Sequence, residues 1–397
     1  MLLTTGQKNK TLKDLARLLQ ENREEIIAQN ELDLLNAKNL DPTLVDRLKV
    51  DDKKVEGMIK AIEDVIDAYD PQGKVLYAYN HPNGMLVQNK VVPFGRILII
   101  YESRPDVTIE AAISAFKAGN SIMLKGGKEA RNSNLFLVKL WHQALQENKV
   151  PKDFVTYLDI NRDETQKLLV ENTHHADLII PRGGDQLIKF VLDSTFVPVI
   201  VSGRGNNFVY VHNDADFDMA INIILNGKSR LSVCNATDKV LFNTDIKHLD
   251  LRISTLVDKL SEMNIDVYGE GDMLNHIHGV KNIERPEMWD EEFLSAKILF
   301  GVSASLRDAI QSINAHSGGH TAVIVTKDEQ VASQFQNEVD CAAVFHNASS
   351  RFTDGGQFGF GAEIAISTQK LHFRGPIGLE QLVTNKWFIS GNGNVRN

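Results

Sequence analysis

The feature that most constrains this chain is a change of hydrophobic period at Ile97. Upstream, Leu12, Leu15, Ala16 and Leu19 recur at helical spacing behind Thr11-Leu12-Lys13-Asp14, which reads as a capping box, so amphipathic helices are expected to about Tyr69. Downstream, short apolar runs bounded by Gly, Pro and Asn alternate with helical segments. Residues 97–101 read as a buried strand, 107–118 as a helix stopped by Gly119-Asn120, and 121–125 as a second strand, which together make a βαβ unit. Between the two regimes, residues 74–92 alternate apolar and polar positions around His81-Pro82-Asn83-Gly84, the signature of a projecting β-hairpin.

The alternation continues. A strand at 177–180 leads through Pro181-Arg182-Gly183-Gly184 into a helix at 186–191 and a strand at 197–201. After Gly205 come a strand (208–211), a helix (215–225), a loop (226–235) and a strand (239–243), and the pattern resumes over 306–325 and 331–345. Strand-helix alternation of this kind implies an α/β fold with parallel sheets. At roughly 150 residues per domain the length suggests two to three domains, and the alternation reads as two doubly wound domains joined near Gly203-Arg204-Gly205. The stretch 347–361, rich in Gly, Ser and Phe, reads as a long functional loop.

Composition narrows the function. The formal charge of −9 has no basic block behind it, which argues against a nucleic-acid partner. No apolar run approaches the roughly 20 residues of a membrane span and no signal-peptide pattern opens the chain, so a cytoplasmic protein is expected. Two cysteines, Cys234 and Cys341, cannot build a disulfide framework.

Cys234 lies in a helix-to-strand loop with Lys228 and Arg230 nearby, cations able to favour a thiolate; the alternative is a small core hydrophobe. Cys341 sits in an apolar strand pattern and reads as packing. Lys125-Gly126-Gly127-Lys128, Arg182-Gly183-Gly184-Asp185 and Gly203-Arg204-Gly205-Asn206 follow predicted strands, where glycines let backbone approach a pyrophosphate. Gly227-Lys228-Ser229 imitates a P-loop end, but Asn222 stands where the first glycine is required. His276 and His278 lack a third ligand, so they read as surface residues and no metal is expected.

Several segments in order resemble one family: Val92-Pro93-Phe94-Gly95-Arg96-Ile97, Tyr101-Glu102-Ser103-Arg104-Pro105, Leu124-Lys125-Gly126-Gly127-Lys128-Glu129, Ser232-Val233-Cys234-Asn235, Gly319-His320-Thr321, Asn347-Ala348-Ser349-Ser350-Arg351-Phe352, Phe358-Gly359-Phe360-Gly361-Ala362-Glu363-Ile364 and His372-Phe373-Arg374-Gly375-Pro376-Ile377-Gly378-Leu379. The chain resembles the gamma-glutamyl phosphate reductases, a branch of the aldehyde dehydrogenase superfamily.

The resemblance implies an aldehyde dehydrogenase-like fold: a cofactor domain (1–73 and 93–205), a catalytic domain (206–383) and a small β-hairpin oligomerisation element (74–92 with 384–397). It implies a homo-oligomer that reduces L-glutamyl 5-phosphate with NADPH in proline biosynthesis, with a glutamate 5-kinase as a possible partner. Cys234 would be the nucleophile, Lys125, Gly126, Lys128, Gly183, Gly184 and Glu292 would hold the cofactor, and Arg104, Arg351 and Asn235 the substrate. Lys128 stands where NAD-using relatives carry an acid, which favours a 2′-phosphate. Ser202 replaces the glutamate that activates water in hydrolytic relatives, and no asparagine occupies residues 101–105, where those relatives place an oxyanion donor. Glu292 lacks the usual following Phe-Gly-Pro, and Leu231 stands near the usual proline of an approach to Cys234 that is a residue short. The rival readings are an NAD-dependent hydrolytic aldehyde dehydrogenase and a catalytically silent oligomeric binding protein.

Overall fold

A computed structural model describes residues 3–37, 40, 42–360 and 363–396. It comprises two compact units, one from Met1–Val201, Gly359–Ala365 and Ile377–Asn397, the other from Ser202–Phe358 and Ile366–Pro376.

The first unit opens with helices α1 (Thr5–Glu21), α2 (Arg23–Asn36), α3 (Pro42–Leu48) and α4 (Asp52–Asp67). The cap of α1 is not at Thr11. Thr4 Oγ1 accepts from Gln7 N at 3.2 Å and Gln7 Oε1 accepts from Thr4 N at 3.0 Å, a capping box upstream that satisfies the helix start and leaves Thr11 buried within it. Strands β1 (Val75–Asn80) and β2 (Leu86–Pro93) form the expected antiparallel hairpin.

Gly95, at φ +128°, turns the chain into β3 (Arg96–Tyr101); a Cβ there would lie 2.2 Å from the Asp177 carboxylate, which accepts from Arg96 N at 2.8 Å. There follow α5 (Val107–Lys117), β4 (Ser121–Lys125), α6 (Arg131–Glu147), β5 (Val155–Tyr157), α7 (Arg162–Glu171), β6 (Leu178–Arg182) and α8 (Asp185–Ser194). The four strands form a parallel sheet in the order β5-β4-β3-β6. Leu98, Ile100, Met123 and Ile179 pack with Leu168, Leu169 and Val191, while Ile97 and Ile99, pointing the other way, are equally buried. A sheet covered on both faces explains the unbroken apolar runs. The strand expected at 197–201 is reduced to one bridge, Val199 to Ile179, because Pro198 interrupts the row of donors at this edge.

The second unit contains β7 (Asn207–Val211), α9 (Phe217–Gly227), β8 (Thr237–Asn243), α10 (Leu249–Glu262), β9 (Asp266–Gly269), α11 (Asp272–Asn275), β10 (Val280–Asn282), β11 (Lys297–Ser303), α12 (Leu306–His316), β12 (Thr321–Val325), α13 (Glu329–Glu338) and β13 (Ala343–His346). Its seven strands form a parallel sheet ordered β10-β9-β11-β8-β7-β12-β13. Cys341 precedes β13 rather than lying in it.

The chain crosses back through β14 (Ala365–Ser367) and β15 (Gly375–Ile377) to β16 (Val383–Ser390), which pairs antiparallel with β2 from Val383↔Pro93 to Ser390↔Leu86. This makes β1-β2-β16 a three-stranded sheet. Gly361 and Ala362 of the family-like motif lie outside the described residues.

Candidate active site

In the second unit the chemistry-bearing groups gather at the amino-terminal edge of the parallel sheet: Gly205 ahead of β7, Cys234 ahead of β8, Thr321 first in β12. Cys234 is partly exposed. Its backbone is tightly held. Asn207 Nδ2 donates to Cys234 O and to Ala236 O, each at 2.7 Å, and a Cβ on Gly205 would lie 1.8 Å from Cys234 O. The Gly203-Arg204-Gly205 turn therefore feeds a strand and backs the Cys234 loop; it is not a phosphate turn at a helix start.

A second staple comes from the Asn347–Phe352 region. Asn235 Nδ2 donates to Arg351 O at 3.1 Å and to Thr353 O at 3.0 Å, and Arg351 Nη1 donates to Asn235 Oδ1. Ser350 Oγ donates to Asn235 O at 2.8 Å and sits 3.0 Å from Thr237 Oγ1. Asn235 thus spends its amide on the loop that carries Arg351. Burial first, and then the neighbouring Arg230, lower the Arg351 pKa, while Asp354 and Cys234 oppose this. A cation in electrostatic range of the Cys234 sulfur favours a thiolate.

Lys228 does not play that part. It is fully buried and its Nζ donates to Asp238 Oδ1 at 2.6 Å, so its charge is matched inside the core. Arg230 is exposed at the mouth of the loop. Glu292 is half-buried, between Glu291, whose carbonyl accepts from Lys239 Nζ at 2.8 Å, and Phe293, whose N–H donates to Asp238 Oδ2 at 2.7 Å. Cys341 is buried beside Ser317, with burial pushing its thiol up to about 11. His276 and His278 are exposed, and among the described residues no group of three metal-ligating side chains is assembled. Ser202 bridges to Ser367.

In the first unit, Lys125 ends β4 with its Nζ donating to Gly126 O at 2.8 Å, and burial lowers its pKa. Gly126 packs where a Cβ would strike Asn134 at 2.2 Å and crowd the Tyr101 ring at 3.1 Å. Lys128 is exposed, while its acidic neighbour Glu129 accepts from Ser103 N at 2.7 Å and from Ser103 Oγ at 2.8 Å. Gly184 caps α8 and its N–H donates to Glu102 Oε2 at 3.0 Å. A carboxylate sits where an anion is favoured.

Arg104 is half-buried, with its pKa lowered first by burial and then by Arg182, and raised by Asp106 and Glu110. Burial and Asp106 push Glu110 up to about 7 against Arg182, Arg104 and Lys54.

The aldehyde dehydrogenase family model matches residues 2–272. The gamma-glutamyl phosphate reductase of Dictyoglomus thermophilum is 42% identical over 398 aligned residues, covering 100% of this chain and 95% of its own, and that of Clostridium botulinum is 41% identical over 399, covering 100% and 96%. The crystal structure of gamma-glutamyl phosphate reductase from Thermotoga maritima superposes with a TM-score of 0.93 at 40% identity, covering 100% of this chain and 95% of that one. The chain belongs to the gamma-glutamyl phosphate reductase branch of the aldehyde dehydrogenase family.

The wider aldehyde dehydrogenase fold extends to an acetylating aldehyde dehydrogenase from Geobacillus thermoglucosidasius, with a TM-score of 0.71 at 18% identity. Asn207 and Asp238 of the second unit escaped the sequence reading, and Glu102 and Glu129 of the first stood there only within the family-like segments, with no role assigned. Each is a polar side chain spent on backbone or on a buried partner. The one local signal was a polar residue opening or flanking an apolar strand, as in Asn207 before Phe208.

Proposed function

We propose that the chain reduces L-glutamyl 5-phosphate to L-glutamate 5-semialdehyde and phosphate with NADPH, a step of proline biosynthesis. Full-length likeness to the reductases, with Cys234 held by Asn207 beside the Arg351 cation, carries the reading.

The Cys234 thiolate attacks the acyl carbon, the carbon–oxygen bond to phosphate breaks, and a thioester forms with loss of phosphate. NADPH, when bound, would supply the hydride that reduces this thioester. The carbon–sulfur bond then breaks, releasing the semialdehyde and restoring the thiolate. The Cys234 backbone N–H is the proposed oxyanion donor, held in place by Asn207. Ser202 in place of a water-activating acid lets the thioester survive until reduction.

Arg104 and Arg351 are the proposed grips for the substrate carboxylate and phosphate. Asn235 serves by holding Arg351. Lys125, Gly126 and Lys128 fit the adenosine end of the cofactor, with Lys128 on the 2′-phosphate because Glu129 is engaged by Ser103. Gly183 and Gly184 fit the pyrophosphate at the start of α8, where it would have to displace the Glu102 carboxylate from the Gly184 N–H. Glu292 is the proposed acceptor for the nicotinamide ribose.

The sheet β1-β2-β16 is the proposed oligomerisation element, since it exposes Leu76, Tyr77, Trp387, Phe388 and Ile389. The lability of an acyl phosphate suits supply by a glutamate 5-kinase.

The test is the reverse reaction. With glutamate semialdehyde and NADP, reduced nicotinamide should form beyond one equivalent per Cys234 only when phosphate is present, and its formation should vanish in Cys234→Ala. Equal turnover without phosphate would identify a hydrolytic dehydrogenase instead.

A further inference from the structure

The pairing of β7 with β8 slips by one residue: Asn207 faces Thr237, but Phe208 faces Lys239. Asp238 is the extra residue of this bulge, so Asp238 and Lys239, which would point to opposite faces of a regular strand, both reach the segment 291–293. The Asp238 side chain is 2% exposed. Its Oδ1 accepts from Lys228 Nζ at 2.6 Å and its Oδ2 from Phe293 N at 2.7 Å. Lys239 Nζ donates to Glu291 O at 2.8 Å and sits 3.7 Å from the Phe293 ring centroid. The next residue, Leu294, has φ +45°, a backbone state that a leucine keeps only when its surroundings impose it.

We propose that Asp238 is a positioning residue for cofactor binding: its buried carboxylate joins Lys228, at the end of the helix that leads into the nucleophile loop, to Phe293, and so fixes the segment that presents Glu292. The proposal rests on the reading of Glu292 as a cofactor contact. Neither Asp238 nor Lys228 touches the cofactor in this account. They act through the backbone of 291–293.

The test is fluorescence titration of the full chain with NADPH, with the melting temperature recorded for every variant. Asp238→Asn loses one acceptor and the ion pair, and NADPH affinity should fall about ten-fold, the size of one charge-assisted hydrogen bond. Glu292→Gln should cause a similar fall, and the two together no more than the larger alone. Since Asp238→Asn strands Lys228 in the core, a second variant exchanges the pair for apolar residues, Lys228→Met with Asp238→Leu, which buried pairs often tolerate. That variant should melt near the parent temperature and still bind NADPH about ten-fold more weakly. Parent affinity at the parent melting temperature overturns the proposal, as do effects of Asp238→Asn and Glu292→Gln that multiply. If Glu292→Gln alone binds normally while Asp238→Asn is weakened, the Glu292 assignment falls and the positioning of the segment is upheld.

Discussion

Replacing Gly205 by alanine should disable Cys234, the proposed nucleophile, without dismantling the fold. The added Cβ would lie 1.8 Å from Cys234 O, 2.5 Å from its carbonyl carbon and 2.7 Å from its Cα, all backbone atoms that cannot swing aside. Reaching ordinary contact requires the Cys234 backbone to move by roughly 1.5 Å. That shift also breaks the bond from Asn207 Nδ2, now 2.7 Å long. Overpacking of this kind costs about 1–3 kcal/mol and the lost hydrogen bond about 1 kcal/mol, which a protein of ordinary stability survives. The catalytic cost is larger, because displacing a reacting group by about 1 Å lowers turnover roughly 100-fold. The assay is phosphate-dependent NADPH formation in the reverse direction, alongside far-UV circular dichroism and the melting temperature. A folded Gly205→Ala enzyme with turnover within about three-fold of the parent, far short of the displacement penalty, would refute the claim that Gly205 sets the position of Cys234.

Arg351→Ala should slow alkylation of Cys234 by iodoacetamide at neutral pH about ten-fold, since it removes the nearby cation; an unchanged rate would mean that Arg351 does not support the thiolate. Lys128→Glu should shift cofactor preference from NADPH towards NADH by at least about ten-fold in the ratio of kcat/KM, and an unaltered ratio would remove Lys128 from the 2′-phosphate site. Glu110, raised from 4.5 to about 7, adds stability that is complete below pH 4.5 and lost as pH rises through 7, worth at most about 3 kcal/mol at about 1.4 kcal/mol per pH unit. Urea unfolding should therefore show Glu110→Gln gaining on the parent between pH 5 and pH 7.5, and parallel curves would contradict that.

The parallel strands were legible because burial on both faces leaves continuous apolar runs, as at Ile97 to Ile100 and Phe208 to Val211. The hairpin around Asn83-Gly84 was legible through its turn. Its third strand was not, since Trp387 and Phe388 carry no local mark of pairing with Asn89 and Gln88; only the family resemblance joined the tail to the hairpin. At the site, Cys234 was visible as a chemical type in a loop with Arg230 near it in sequence, but the approach of Arg351 was not. Lys228 is nearer in sequence, yet the bulge at Asp238 captures it, and Arg351 arrives from more than a hundred residues away through Asn235. Long-range polar pairing of this kind has no period for a sequence to display.

The central claim is that Cys234 carries the acyl group as a thioester. Intact-mass measurement of the protein after mixing with glutamate semialdehyde and NADP, without phosphate, tests it most directly. The account predicts a gain of one glutamyl group, located on the peptide containing Cys234, absent from Cys234→Ala and discharged when phosphate is added. NADPH formation with no adduct on Cys234 at any time, or an adduct that persists in Cys234→Ala, would contradict it.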